Sequence, residues 1–395
     1  MANSLNFNSI ATVLNQVVSQ ATGKTNIGAI NTSNFVTVAQ KALLSGYDNY
    51  INAVSQVLSQ SIFSSRPYEA VLDILSRDSR RWGNHVRKIT ALDMDAVDSE
   101  RLPLRDGTSV DPWTVNKRKV VQFNFYGQED FTRFETIFTN QMDVSLSGPE
   151  EFARFLAMIQ NAGKSQKNQD LENLRRQTLA NFIAGLVLLE NAGMSTETIV
   201  HLLTEYNTFT GNNYSVTDIH KPANYDAFIR WASARITTAR RNLRERGYLH
   251  HANPGVDIPR HTPNDRQQFI LFADEYDRIR NSTFATTFNE GQINGYGGFE
   301  AVNFFQSPKD GDRNKIITTP SYIDANGDAA VGSSTTVENI FGIVYDDDAM
   351  GETIVNERSY STPVNPRGEY SNIYWHYTGR FYNDFTENAI LFLLD

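Results

Sequence analysis

The chain has 395 residues, 40% of them hydrophobic, enough to bury a substantial core in one elaborated domain or two. It contains no cysteine, which excludes disulfide frameworks, thiolate metal sites and cysteine nucleophiles. A formal net charge of −9 excludes a surface that coats nucleic acid throughout, because phosphate binding needs clustered positive charge.

No apolar run approaches the roughly 20 residues that span a bilayer, so no membrane association is expected. The longest run, residues 184–189, reads as part of a helix. Residues 1–10 lack the basic region and apolar core of a signal peptide, which predicts folding in a cytoplasm until release with some larger object.

Across residues 1–65 only Lys24, Lys41 and Asp48 carry charge. Such a segment is too weakly apolar to make its own core and too little charged for a solvated tail, so an arm laid across a neighbouring subunit is expected. Ile10, Val13, Leu14, Val17 and Val18, and then Val54, Val57 and Leu58, fit two short amphipathic helices. Helices packed on their own domain are the alternative.

Residues 66–146 turn polar and strand-like. Val120, Val121, Phe123 and Phe125, with Gln122 and Asn124 between them, alternate as in a half-buried strand, and residues 87–92 are its expected partner. Between them, residues 93–115 contain Pro103, Asp106, Gly107, Asp111 and Pro112, a turn-rich tip. Together they predict a long projecting hairpin, which is marginal in water alone and needs a surface to lie on.

Ser147 and Gly148 offer cap positions, Pro149 suits the first helical residue, and Glu150 and Glu151 complement the helix dipole. Phe152, Phe155, Leu156 and Ile159, then Leu171, Leu174, Leu179, Phe182, Ile183 and Leu186, form an apolar stripe at helical spacing. This predicts one very long helix or two in tandem, with Gly163 the weak point.

A shorter helix is expected over residues 196–206 and another over 224–247. The second turns Phe228, Trp231, Ile236 and Leu243 inward and carries Arg230, Arg235, Arg240, Arg241, Arg244 and Arg246 on its outer face. Contact with DNA or acidic neighbours is one reading, a solvated face paired with the chain's own carboxylates the other. Residues 269–273 read as a buried strand, 274–287 as a helix or turn and 291–298 as a loop. The last part alternates short apolar runs with turns, with aromatic strands at 373–377 and 389–394 and no internal repeat.

Motifs for catalysis are lacking. Asp346, Asp347 and Asp348 have no further spaced ligands and read as a solvated turn. Asp324, Asn326 and Asp328 imitate a calcium loop, but Ala329 stands where glycine is needed and Thr335 where a bidentate glutamate is needed. His250, His251 and His261 are too irregular for zinc and read as structural. No catalytic, metal or cofactor site is assigned, and the chain is expected not to be an enzyme.

The carboxyl end carries a more specific signal. Asn365-Pro366-Arg367-Gly368 is followed by Tyr370, by Ile373-Tyr374-Trp375-His376-Tyr377, by Gly379-Arg380-Phe381 and by Asn388-Ala389-Ile390-Leu391-Phe392. This resembles the closing segment of major capsid proteins from small short-tailed phages. The order of elements likewise resembles the Hong Kong 97 type of tailed-phage major capsid protein, an α+β fold.

The resemblance implies an amino-terminal arm at 1–65, an extended β-hairpin loop at 66–146 and a peripheral domain with its spine helix at 147–194. It further implies a mostly axial domain with some peripheral strands at 195–342 and closing strands at 343–395. It also implies a subunit that self-assembles, through hexamers and pentamers, into an icosahedral or prolate shell around double-stranded DNA. Scaffold, portal or decoration proteins, and weak non-specific DNA contact, are the implied partners. Arg230, Arg240, Arg241 and Arg244 are then the candidate inner-face or intersubunit contacts. Some relatives join subunits through a lysine-to-asparagine isopeptide bond; Lys88, Lys117 and Lys119 lie in or beside the hairpin, but no partner is identified and no such site is assigned. The rival readings are an encapsulin-like compartment and another virion component such as a tail or portal subunit.

Overall fold

A computed structural model describes residues 7–23, 35–44, 46–60, 71–77, 86–94, 104–106, 108–111, 113, 115, 117–283 and 298–395. At the amino end, α1 (Phe7–Thr22), α2 (Phe35–Leu44) and α3 (Tyr47–Gln60) pack on one another. They bury Leu14, Val17, Val18, Phe35, Val38, Tyr50, Ile51 and Val54 in a core shared with Phe152, Leu156, Ile159 and Ile373. Too weakly apolar to make a core alone, the described helices of this segment complete one with the rest of their own chain, as in the alternative reading. The side chains of Ile10, Val13, Val57 and Leu58 lie outside the described residues.

Residues 71–77 form a strap whose Leu72 and Leu75 are buried in a second core. The Ile74 amide donates to Glu300 at 3.3 Å, and the Arg77 guanidinium donates to the Met350 carbonyl at 3.1 Å. The hairpin follows as expected, with β1 (Val86–Ala91) antiparallel to β2 (Val120–Phe125) and Lys88 opposite Phe123. Pro103, Gly107 and Pro112 of its tip lie outside the described residues. The hairpin ends with β2, well before residue 146. Its expected continuation is instead β3 (Gln128–Phe138), a body strand, and α4 (Thr139–Ser145).

The spine is one helix, α5 (Pro149–Asn191), 43 residues long. Gly148 in extended conformation precedes it, with Pro149 at the first position. Every residue of the expected apolar stripe is buried. Gly163 does not break the helix. Trp375 packs against it, and a Cβ there would lie 3.4 Å from the indole, an ordinary contact, so the packing does not itself demand glycine.

The expected helix at 196–206 is instead β4 (Ile199–His201) leading into α6 (Leu202–Thr210). β4 exists because a strand at the far end of the chain pairs with it, a partner that local spacing cannot reveal. After α7 (Val216–Ile219), α8 (Pro222–Asn242) is the arginine-bearing helix, ending before the expected 247. There follow β5 (Gln267–Phe272), α9 (Ala273–Thr283), β6 (Gly298–Val302), β7 (Ile316–Thr318), β8 (Ser321–Ile323), β9 (Ala329–Val331) and β10 (Thr335–Val337). The chain closes with β11 (Ile340–Asp346), β12 (Met350–Ser361), β13 (Tyr370–Asn383) and β14 (Ala389–Leu393).

A mixed sheet runs in the order β4-β14-β11-β5-β6. On one face Ile270, Ile343 and Leu391 share a core with Phe182, Ile183 and Leu186 of α5. On the other, Phe269, Phe341 and Phe392 share a core with Leu203 of α6 and Phe228 and Ile229 of α8. Covered on both faces, β11 and β14 are buried at every position, hence their continuous apolar runs. A second sheet, β12-β13-β3, lies against α5. The expected boundary at 342/343 therefore falls inside β11, and the closing strands are divided between the two sheets.

Candidate functional surfaces

α8 brings some of the predicted arginines together and separates others. Arg230 and Arg241 are exposed and, 11 positions apart at about 100° per residue, lie on nearly one face; Arg244, just past the helix end, is exposed as well. Arg240 is corrected: it is buried, its Nε donates to Gln267 Oε1 at 3.1 Å, and Gln267 Nε2 donates back to the Arg240 carbonyl at 2.9 Å. Its guanidinium also sits 5.7 Å from the Phe269 ring centroid, so it holds α8 to β5 within the subunit. Arg235 pairs with Glu205 at 2.6 Å, and Arg246 with Asp93, just past the distal end of β1.

The base of the hairpin is held by a cluster that sequence reasoning missed. Lys88 Nζ lies 2.7 Å from Asp384 Oδ2 and also contacts Glu387, which Arg260 meets at 3.3 Å. Burial would depress the Lys88 pKa, but the two carboxylates outweigh it and raise it above the ordinary lysine value. Arg260 also donates to Thr90 at 3.1 Å, and Phe125 packs on Tyr382 with ring centroids 5.7 Å apart. Three distant segments supply these groups, so no local pattern could have revealed them.

Among the described residues of the distal hairpin, several large apolar side chains are open to solvent. Trp113 is 84% exposed, Met94 81% and Val115 79%.

Behind the β12-β13-β3 sheet, Asp170 of α5 accepts from Arg133 Nε at 2.8 Å and from the Tyr377 hydroxyl. Burial alone would raise its pKa, yet these donors hold it below the usual carboxylate range. Arg175 bridges Glu352 at 3.1 Å and Asp73 at 3.2 Å, tying the strap to the spine.

The remaining candidates are structural. Asp346 is buried rather than solvated; it accepts from Thr262 at 2.8 Å and meets Arg266 at 3.2 Å. Asp324 accepts from the amides of Asn326 and Asp328, each at 2.9 Å, spending its carboxylate on its own turn. His251 is fully buried and bonded to the Ile258 carbonyl oxygen at 2.6 Å, whereas His261 is exposed. Among the described residues no cluster of ligands suits a metal ion, and no helix is long and apolar enough to cross a membrane.

The family described as the Phi29-like phage major capsid protein matches residues 11–393. The chain belongs to that family. It is a structural component of the virion, and the encapsulin, tail and portal readings are set aside. A chain from the capsid structure of Staphylococcus phage Andhra is 10% identical over 85% of this chain and 87% of its own, with a TM-score of 0.52. A chain from the structure of the head fibre and inner core protein gp22 of bacteriophage P68 is 10% identical over 85% and 88%, with a TM-score of 0.52. No curated protein matches in sequence. This capsid protein thus has the Hong Kong 97-type fold that its carboxyl end and element order led one to expect.

Proposed function

We propose that this capsid protein assembles in the bacterial cytoplasm into hexamers and pentamers of a closed shell around double-stranded DNA, each subunit laying its hairpin on a neighbour. The observation that carries this reading is the hairpin's asymmetry. Its base is locked to its own subunit by Lys88, Arg260 and Phe125, while its far end presents Met94, Trp113 and Val115 to solvent. Repeated around a ring, such heterologous contacts close a shell, and avidity supplies a stability no single contact has. Scaffold, portal or decoration proteins would join the same assembly. Negative-stain microscopy of the purified, overexpressed protein tests it: closed shells are expected, and only open tubes or monomers would sink it.

For the arginine helix, contact with an adjacent subunit is favoured over contact with packaged DNA, because a net acidic chain leaves many carboxylates to be met. Arg241→Gln combined with Arg244→Gln separates the two while sparing the buried Arg240. Failure of empty-shell assembly is expected; intact empty shells that package poorly would favour DNA.

A further inference from the structure

We infer that a cleft between α5 and the edge strand β12 binds a small phosphorylated ring compound, a free nucleoside monophosphate, with Trp375 as its stacking wall and Lys164 and Arg358 as its phosphate ligands. The inference goes beyond shell building and does not depend on it, because binding is read on unassembled subunits.

Trp375 stands on the middle strand of the β12-β13-β3 sheet, with Ser359 of β12 and Arg133 of β3 as its register neighbours. Its indole edge faces Gly163 of α5, and a cleft opens on either side of the ring. The spine leaves these spaces because residues 161–170, where its apolar stripe lapses, are all small, polar or charged. On the β12 side the cleft has a volume of about 380 Å³, in the range of small-ligand sites and far more than a bare ion fills.

Charge selects an anion. Lys164, Lys167 and Arg358 line this cleft against the single carboxylate of Glu357. Lys167 spends its charge on Glu357 at 2.6 Å, whereas Lys164 and Arg358 have no ion pair among the described residues. In a chain of net charge −9, two cations left over on facing elements depart from self-pairing, and together they match a phosphate dianion better than a lone carboxylate. The cleft on the other side of the indole offers the opposite sign. It is lined by Glu135, while Arg133 beside it is committed to Asp170. An anion is therefore steered to the β12 side.

The apolar lining selects the rest of the ligand. An inorganic anion alone would leave the indole and Ile159 wet, whereas a planar base covers them, and stacking accepts any base because each presents a π-face. Since α5 supplies Lys164 and β12 supplies Arg358, a phosphate held by both would also bridge the spine and the edge of the sheet.

Equilibrium dialysis of the unassembled full-length protein against labelled deoxyadenosine monophosphate tests the site. Saturable binding is expected, weakened about tenfold or more by Lys164→Gln combined with Arg358→Gln, and about tenfold by Trp375→Leu. Lys164 is half-buried and Arg358 exposed, so the double variant should keep its unfolding midpoint and carries the test if Trp375→Leu fails to fold. The nucleotide should raise the midpoint of the parent protein and leave that of the double variant where it is. Uptake that does not saturate, or that the folded double variant retains in full, overturns the site. Inorganic phosphate bound as tightly as the nucleotide overturns the stacking wall and with it the ligand class. A site that takes a single-stranded oligonucleotide but no free nucleotide overturns the assignment to a free ligand.

Discussion

Gly185 shows how tightly α5 is fitted to the closing segment. A Cβ there would lie 2.4 Å from the Phe385 ring, which stacks on Phe182 at a centroid distance of 5.1 Å. Gly185→Ala should cost about 1–3 kcal/mol by overpacking, read as a lowered urea midpoint of unassembled subunits. An unchanged midpoint would mean that the ring moves aside freely. Arg240→Gln strands Gln267 and should likewise lose about 1–3 kcal/mol, whereas Arg241→Gln should stay within about 0.5 kcal/mol. Adjacent helical residues point about 100° apart, so Arg240 and Arg241 can take different faces, and here Arg240 turns inward. Spacing alone could not say which, because Gln267 and Phe269, the groups that receive Arg240, come from a later strand.

Elements whose signals are local were legible: the start of α5 from Pro149 and its acidic first turn, and the β1–β2 hairpin from alternation. Those defined by distant pairing were not, as β4 and the reassignment of β3 to the body show. Asp170 links α5 to β3 and β13, and its depressed pKa fixes a pH signature. Stability from a carboxylate lowered on folding is fully present above its unfolded pKa and is lost as pH falls through the folded value. Subunits should therefore weaken below the usual carboxylate range, and Asp170→Asn should flatten that limb of a denaturation curve against pH. An unaltered limb would assign the acid sensitivity to other groups. The hairpin should be the first element cut by protease in free subunits, between Asp93 and Val115, and shells should protect it. Equal cleavage in both states would remove the hairpin from the interface.

At the scale of the molecule, the low charge of residues 1–65 correctly marked the segment as unusual but not its destination. Whether weakly apolar helices find a core depends on what the rest of the chain leaves uncovered, here Phe152, Leu156 and Ile159 of α5. Deleting residues 1–65 should therefore produce an aggregating or destabilised chain, assayed by sedimentation and thermal unfolding. A soluble truncation with an unchanged melting point would show that the α1–α3 bundle is dispensable to the body.

α5 itself has a mechanical consequence. At about 1.5 Å per residue it is a rod about 65 Å long, with the amino-terminal bundle packed on one end and the mixed sheet on the other. A rod without a joint obliges the two ends to tilt together. When copies of one sequence meet at different curvatures, as five-fold and six-fold rings in one shell demand, the difference has to be absorbed outside the rod. The thin elements at the rim, chiefly the hairpin beyond its Lys88 anchor, are where that bending would collect.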